Sequence, residues 1–150
     1  MPAFINSVRN ILPGFGSPAY NGQLLGQALT AAGPTTLTIG STTTTPAGGT
    51  PFNLDGSAGP RAGYWRLRSS AVNGATTFAA TITASDGTNT WVIGAVGVTA
   101  AGALVDRIGE FNVDEPQSAT LTGLTSISAA ITLGGGTTTA TVDFEVSMTN

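Results

Sequence analysis

The sequence contains no lysine, histidine or cysteine. Without histidine and cysteine it cannot form a Ser-His-Asp or Cys-His catalytic site, or a zinc site built from those side chains. Carboxylates remain as acids and bases, and Asp143 and Glu145 are spaced to share one strand face. That pair could in principle serve glycoside hydrolysis, but acidic residues are ordinary on a solvent-facing strand. We therefore expect no enzymatic activity, no cofactor and no metal.

Charge is scarce as well. Only 9% of residues are charged, against about 25% in ordinary soluble domains, and the net charge is -3. A protein that binds nucleic acid or an anionic membrane needs clustered basic residues, so neither partner is expected. No run approaches the roughly 20 apolar residues of a membrane span. The N-terminus also lacks the pattern of a signal peptide, so we expect no signal-dependent export.

Threonine and glycine are abundant, with 25 and 21 residues among 150. Threonine favours strands and glycine favours turns. A chain of this length fits one domain that buries roughly 70% of its unfolded surface. Low charge is a smaller disadvantage for a subunit covered in an assembly than for a free monomer. The composition thus indicates a β-rich protein that acts through its surface.

Two segments depart from a strand pattern. Residues 1–22 are predicted to form an extended N-terminal arm, because Pro13 and Gly14 end any helix within about two turns. The arm could cover its own domain or reach a neighbouring subunit. Residues 23–150 then form a single domain, interrupted by a long loop at 41–63 that is rich in Gly, Pro and Thr. Loops of this length are usually functional or mobile.

Two short motifs resemble fragments of calcium loops. Residues 53–57 begin like an oxygen-ligand loop, but the later ligands and the closing glutamate are absent. Residues 86–89 show the same ambiguity. Aspartate and asparagine commonly accept hydrogen bonds from the backbone in turns. An ordinary Asx turn is the favoured interpretation of both.

Alternating patterns predict strands along the rest of the chain. Residues 62–71 place Trp65, Leu67 and Ser69 on one face and Tyr64, Arg66 and Arg68 on the other. Residues 77–98 predict a hairpin around a turn at 85–89, with Trp91 near Ile82. Further strands are expected at 35–39 and 103–113. Residues 23–32 allow either a short helix or a strand, and the strand is favoured because residues 35–39 follow directly after Gly33 and Pro34. Residues 127–133 and 142–148 flank three glycines and predict a second hairpin with one dry and one wet face.

Several short strands separated by turns predict an all-β fold. We expect an antiparallel β-sandwich, jelly-roll-like, with about eight strands. The basic and aromatic strand face is a candidate protein contact, since arginine and tyrosine are enriched at interfaces. A solvated face, or a carbohydrate or nucleic-acid contact, are the alternatives for that strand. The full set of candidate contact residues is Phe4, Ile5, Arg9, Phe15, Tyr20, Phe52, Arg61, Tyr64, Arg66 and Arg68.

The strand 64–68, the hairpin 78–96 and the final 127–148 segment together resemble the small cement or decoration proteins of tailed-phage heads, over residues 61–149. The resemblance implies a sandwich on the capsid surface of the virion that binds the major capsid protein, often as a homotrimer or other homo-oligomer. It also implies synthesis in the host cytoplasm. Since the chain has no lysine, it cannot supply the lysine of an isopeptide crosslink, and stabilisation of the shell would be noncovalent.

Two other structural functions remain open. A tail-tube or baseplate protein would form rings through a long hairpin between subunits. A carbohydrate-binding β-sandwich of an adhesin or fibre would need an exposed aromatic platform, to which Tyr64 or Trp91 could contribute.

Overall fold

The computed structural model describes residues 20–30, 34–53, 62–69, 77–98, 105–113, 123–134 and 139–149. Within these ranges it contains nine strands and no helix, so none of the described segments is a helix able to span a membrane. The strands are β1 (Tyr20–Thr30), β2 (Thr35–Gly40), β3 (Thr44–Thr45), β4 (Ala62–Ser69), β5 (Thr77–Ser85), β6 (Thr90–Val98), β7 (Val105–Asn112), β8 (Ser126–Gly134) and β9 (Thr139–Thr149).

The strands form two antiparallel sheets. The four-stranded sheet has the order β1-β9-β4-β7, and the five-stranded sheet has the order β3-β2-β8-β5-β6. If the two-residue β3 is left out and the remaining eight strands are numbered along the chain, the four-stranded sheet has the order 1-8-3-6. The other sheet then has the order 2-7-4-5. This is the strand order of a jelly roll. The predicted all-β, jelly-roll-like sandwich is therefore confirmed.

One core fills the space between the sheets. The alternation predicted for β4, β5 and β8 is confirmed, since Leu67, Ile82 and Ile131 point inward and are buried. Their strand neighbours point outward. Threonine and alanine occupy most outward positions on β5 and β8, which is where a half-buried strand accepts small polar residues.

The predicted hairpin between β8 and β9 is wrong. β8 lies between β2 and β5, and β9 lies between β1 and β4 in the other sheet. Both strands are hydrogen-bonded on both edges, so neither has an edge left for the other. The chain instead passes from one sheet to the other between Gly134 and Thr139.

The predicted hairpin over residues 77–98 is confirmed as β5 and β6. Its register differs in one detail, because Trp91 lies opposite Ala84 while Ile82 lies opposite Gly94. The register shifts by one residue at Ile82, as at a β-bulge.

Trp65 closes the sandwich along the side where β6 and β7 are the edge strands. A Cβ atom added to Gly94 of β6 or to Gly109 of β7 would lie 2.3 Å from the indole ring. The indole Nε1 donates a hydrogen bond to the Ile93 carbonyl, at 3.3 Å. Trp65 therefore contacts the edge strands of both sheets, and glycine is required at both positions to make room.

The predicted arm and loop have different boundaries in the structure. Tyr20 begins β1, so residues 20–22 belong to the sheet, while residues 1–19 lie outside the described residues. The 41–63 segment contains β3 and the first two residues of β4. Its residues 54–61 also lie outside the described ranges.

Candidate interaction surfaces

The long connections of this jelly roll join the fold at one end. Tyr20 of β1 pairs with Met148 near the end of β9, and Ala62 of β4 pairs with Asn112 at the end of β7. Residues 1–19, 54–61 and 114–122 therefore all join the described strands at this end, which we call the loop end. Five candidate contact residues fall in these segments, outside the described residues: Phe4, Ile5, Arg9, Phe15 and Arg61.

The described part of the long loop ties the two sheets together at the loop end. Thr50 and Gln23 exchange two backbone hydrogen bonds of 2.8 and 2.9 Å, which attaches the loop to β1. Phe52 donates its backbone N–H to the Gly40 carbonyl of β2, at 3.1 Å. This described part of the loop is thus fixed to both sheets.

Tyr20 and Phe52 are core residues in this fold. Each is only 2% exposed, and their rings meet edge-to-face with centroids 6.3 Å apart and an interplanar angle of 75°. Their assignment as candidate contacts is therefore corrected. Phe52 does find a surface to bury against, but that surface is the protein's own core.

The outer face of the four-stranded sheet carries paired charges, and we call it the charged face. Arg66 donates two hydrogen bonds to the two carboxylate oxygens of Asp106, at 2.7 and 2.6 Å. Arg68 donates two to one oxygen of Asp143, at 3.2 and 2.5 Å, and the Gly26 backbone N–H donates to the other, at 2.8 Å. The predicted outward position of both arginines is confirmed. Both are held by carboxylates of neighbouring strands.

These contacts shift the ionisation of the charged face. The hydrogen bond from Arg66 holds the pKa of Asp106 below its ordinary value, and the same bond raises the pKa of Arg66. Partial burial raises the pKa of Tyr64, and the nearby Glu110 carboxylate raises it further. Arg66 is therefore charged, and Tyr64 is neutral, across the physiological range.

The wet face predicted for β9 is wrong at two positions. Glu145 and Ser147 point to the outer side of the sheet, yet they are 1% and 0% exposed. Ser147 donates a hydrogen bond to Asn21 Oδ1 of β1, at 3.1 Å. The two carboxylates Asp143 and Glu145 share a face as expected. Since Arg68 holds Asp143 and Glu145 is buried, they do not face each other across a cleft as a glycosidase pair does.

The Asx turn predicted at residues 86–89 is confirmed. Asp86 Oδ1 accepts hydrogen bonds from the backbone N–H groups of Thr88 and Asn89, at 2.9 and 2.6 Å. These bonds lower the pKa of Asp86. Among the described residues, no three Asp or Glu side chains are grouped to hold a metal ion. Of the other calcium-like segment, only Asn53 is described.

The outer face of the five-stranded sheet carries no charge, since none of the residues of its five strands is charged. We call it the threonine face. Among the described residues, the charged side chains belong to the strands of the other sheet, except Asp86 in the β5–β6 turn. The threonine face consists of Thr36, Thr38, Thr77, Ala79, Thr81, Thr83, Val92, Ala95, Gly97, Ser128, Ala130 and Thr132.

Two features interrupt the flat threonine face. Val92 projects from it and is 71% exposed. Beside it lies an open depression of about 250 Å³ that is lined by Ala79, Ala80, Thr81, Ala95, Val96, Ala130 and Thr132. The sequence analysis identified neither feature. Val92 lies just before the register shift in β6 and so departs from the alternation that Ala95 and Gly97 follow. The sequence feature that could have identified this face is the absence of charged residues from these strands.

The edge strands are protected against pairing with other chains. β7 carries Asp106, Arg107 and Glu110. β1 has an irregular register near Gly26, which has a positive φ of 64°. β3 has two residues, and Trp65 contacts the middle of β6. Short, charged or bulged edges oppose strand addition.

The aromatic platform required for glycan binding is only partly available. Tyr64 is half-buried on the charged face, and Trp91 is partly buried against the core. Neither ring is fully exposed, and they belong to different sheets.

No family model and no curated protein sequence matches this chain. Among solved structures, a chain of Broad Bean Stain Virus is 15% identical with a TM-score of 0.41, and the match covers 93% of this chain and 91% of that chain. A chain of the Cowpea Mosaic Virus empty virus-like particle is 12% identical with a TM-score of 0.36, covering 89% and 82% respectively. A chain of the naturally occurring empty top component of that virus is 11% identical, with a TM-score of 0.37 and coverage of 89% and 86%.

Proposed function

We propose that this protein is a structural component of a virion, a decoration protein that binds the shell formed by a major capsid protein and stabilises it noncovalently. It acts at the capsid surface after synthesis in the host cytoplasm. The observation that carries the proposal is the loop end. The arm and the long loop, which hold five of the candidate contacts, join one end of a sandwich whose edges oppose strand addition.

The sandwich would stand on the shell with the loop end downward. Segments that enter at neighbouring strand ends can reach the same patch of a partner, so their weak contacts act together. Copies on one shell also act together, because binding many linked sites raises the apparent affinity without new contacts. A jelly roll by itself does not select this function, since capsid and lectin domains share it.

Position and copy number in purified particles test the proposal. Cryo-EM and quantitative gel analysis should find the protein on the outside of the shell in large, symmetric numbers. A few copies at the tail would instead support the tube or baseplate function. Absence from particles would overturn a virion function altogether.

A shell-binding assay tests the loop end directly. Shells that lack the protein are incubated with the full chain and sedimented, and bound protein is quantified. Phe4→Ser combined with Arg61→Ser should lower binding at least tenfold. Thr30→Ser, at the opposite end of β1 on an exposed position, is the matched control and should bind as the unmodified chain does. Equal binding by both variants would reject the loop end as the contact.

A further inference from the structure

The threonine face is a broad surface with no charge, one projecting side chain and one depression. We infer that it pairs with the threonine face of a second copy of this chain, with Val92 of each copy entering the depression of the other. The place of such a pair on a shell rests on the proposed function. The pairing itself is a property of the chain in solution.

Charge favours a second copy as the occupant. Covering a charged group costs free energy unless a partner replaces its water, and the threonine face has no such group. A surface of threonine, serine and alanine is chemically complementary to itself. The charged face, by contrast, would bring Arg66 and Arg68 against a partner although Asp106 and Asp143 already pair with them.

The area of the face suits a weak dimer. Strands lie about 4.8 Å apart and extend about 3.3 Å per residue, so four strands of six to nine residues cover about 500 Å² per copy. Stable interfaces bury about 600–1,000 Å² per partner. The face falls below that range, among weak and transient associations, so we expect a dimer that forms only at high protein concentration.

Shape supplies the specificity. In a twofold pair, residue i contacts residue j and residue j contacts residue i, so one projection and one depression give two equivalent contacts. Val92 lies opposite Thr83, and the depression begins at Thr81, two residues along the same strand. The depression of about 250 Å³ is larger than a valine side chain. Its alanine lining leaves the space that the partner's valine fills.

The offset between Val92 and the depression runs mainly along β5, so the twofold axis that exchanges them lies across the strands. The charged faces point away from the pair.

Sedimentation velocity over a concentration series from about 1 to 200 µM tests the inference. The unmodified chain should form dimers in a concentration-dependent manner, and Val92→Arg should weaken the dimer at least tenfold. Ile108→Arg is the matched control, because Ile108 is also exposed, at 52%, but lies in β7 of the other sheet. It should dimerise normally. A dimer unaffected by Val92→Arg, or a chain that stays monomeric throughout, would overturn the pairing.

A mixing experiment separates lost contact from lost folding. Ala130→Glu places a carboxylate in the depression, and this variant should also dimerise weakly alone. Mixed with Val92→Arg, it should recover association, because one contact becomes an Arg–Glu pair and the other keeps the original valine and depression. Absence of recovery, with both variants folded by circular dichroism, contradicts the predicted contact. A chain that dimerises but does not bind shells would overturn the proposed function and leave the pairing intact.

Discussion

The outer faces of the two sheets cover the same core with opposite chemistry. On the charged face, Arg66 and Arg68 are held by carboxylates from the two neighbouring strands. On the threonine face, a hydrogen bond between the hydroxyls of Thr38 and Ser128 joins neighbouring strands. The first face is fixed by ion pairs. The strands of the second contain no charged residue and so form no ion pair across it.

Because of this difference, substitutions on the charged face should affect the stability of the fold more than substitutions on the threonine face. Removing a partner on the charged face leaves a partly buried charge without its match, which is costly. Changing an exposed side chain on the threonine face leaves the backbone register unchanged and exposes no new polar group. The threonine face can therefore be specialised for a partner at little cost to folding. The substitutions below test that difference.

The largest loss in the free energy of unfolding is expected where Trp65 contacts the edge strands of both sheets. Gly94→Ala and Gly109→Ala each place a methyl group 2.3 Å from Trp65, and overpacking of this kind costs about 1–3 kcal/mol. Denaturant unfolding followed by tryptophan fluorescence measures the loss. Gly97→Ala on the same edge strand meets no atom within 4 Å and should change stability by less than about 0.5 kcal/mol. Equal effects at Gly94 and Gly97 would contradict the contact.

Arg68→Ala should produce the next largest loss, about 1–2 kcal/mol, because it removes charge-assisted hydrogen bonds from partly buried Asp143. Arg107→Ala is the control, since Arg107 is exposed and bonds to a neighbouring backbone carbonyl. It should cost less than about 0.5 kcal/mol. Chemical denaturation at pH 7 distinguishes them, and similar losses would show that the Arg68 pair does not stabilise the face.

The Arg66–Asp106 pair predicts a pH dependence. The pKa of Asp106 is lower in the fold than its ordinary value of 3.8, so the stability contributed by the pair is fully present above that value. It is lost as the pH falls through the lowered pKa. Asp106→Asn should cost about 0.5 kcal/mol at neutral pH, and its difference from the unmodified chain should shrink below pH 3.8. Unfolding at a series of pH values measures this. A difference that stays constant down to pH 2 would exclude the linkage.

The smallest effect is expected on the threonine face. Thr81→Val keeps the branched shape and strand propensity of an exposed position, so the free energy of unfolding should change by less than about 0.5 kcal/mol. The pH dependence should stay that of the unmodified chain, because the face has no titrating group. Thermal unfolding at pH 7 and pH 3 checks both. A loss above 1 kcal/mol would mean that threonine hydroxyls stabilise this face after all.

Local alternation in the sequence predicted most of the strands and the buried faces of β4, β5 and β8 correctly. Period-two patterns identify which side of β4, β5 and β8 is buried, because burial repeats with the pleat. Partners across long sequence distances leave no such pattern. The pairing of β1 with β9 joins opposite ends of the chain, and the hairpin inference for β8 and β9 failed because adjacency in sequence was taken as adjacency in space.

The sequence also did not indicate which residues outside the regular strand patterns would be buried. Tyr20 and Phe52 stand beside prolines, glycines and asparagines, which predicts exposed segments. They are buried because the loop returns to β1 through Thr50 and places the two rings together. The loop end follows from the same long-range topology. It could be recognised only after the strand order was known.

The strand order also governs when the protein can fold. The central strands of the two sheets, β8 and β9, are the last two in the chain. During synthesis, β2 and β5 have no strand between them until β8 is made, and β1 and β4 have none until β9 is made, so each sheet is completed late. Nascent strands left without partners are prone to aggregation. On β2 and β5, threonine rather than valine at the outer positions keeps the unpaired strands hydrated.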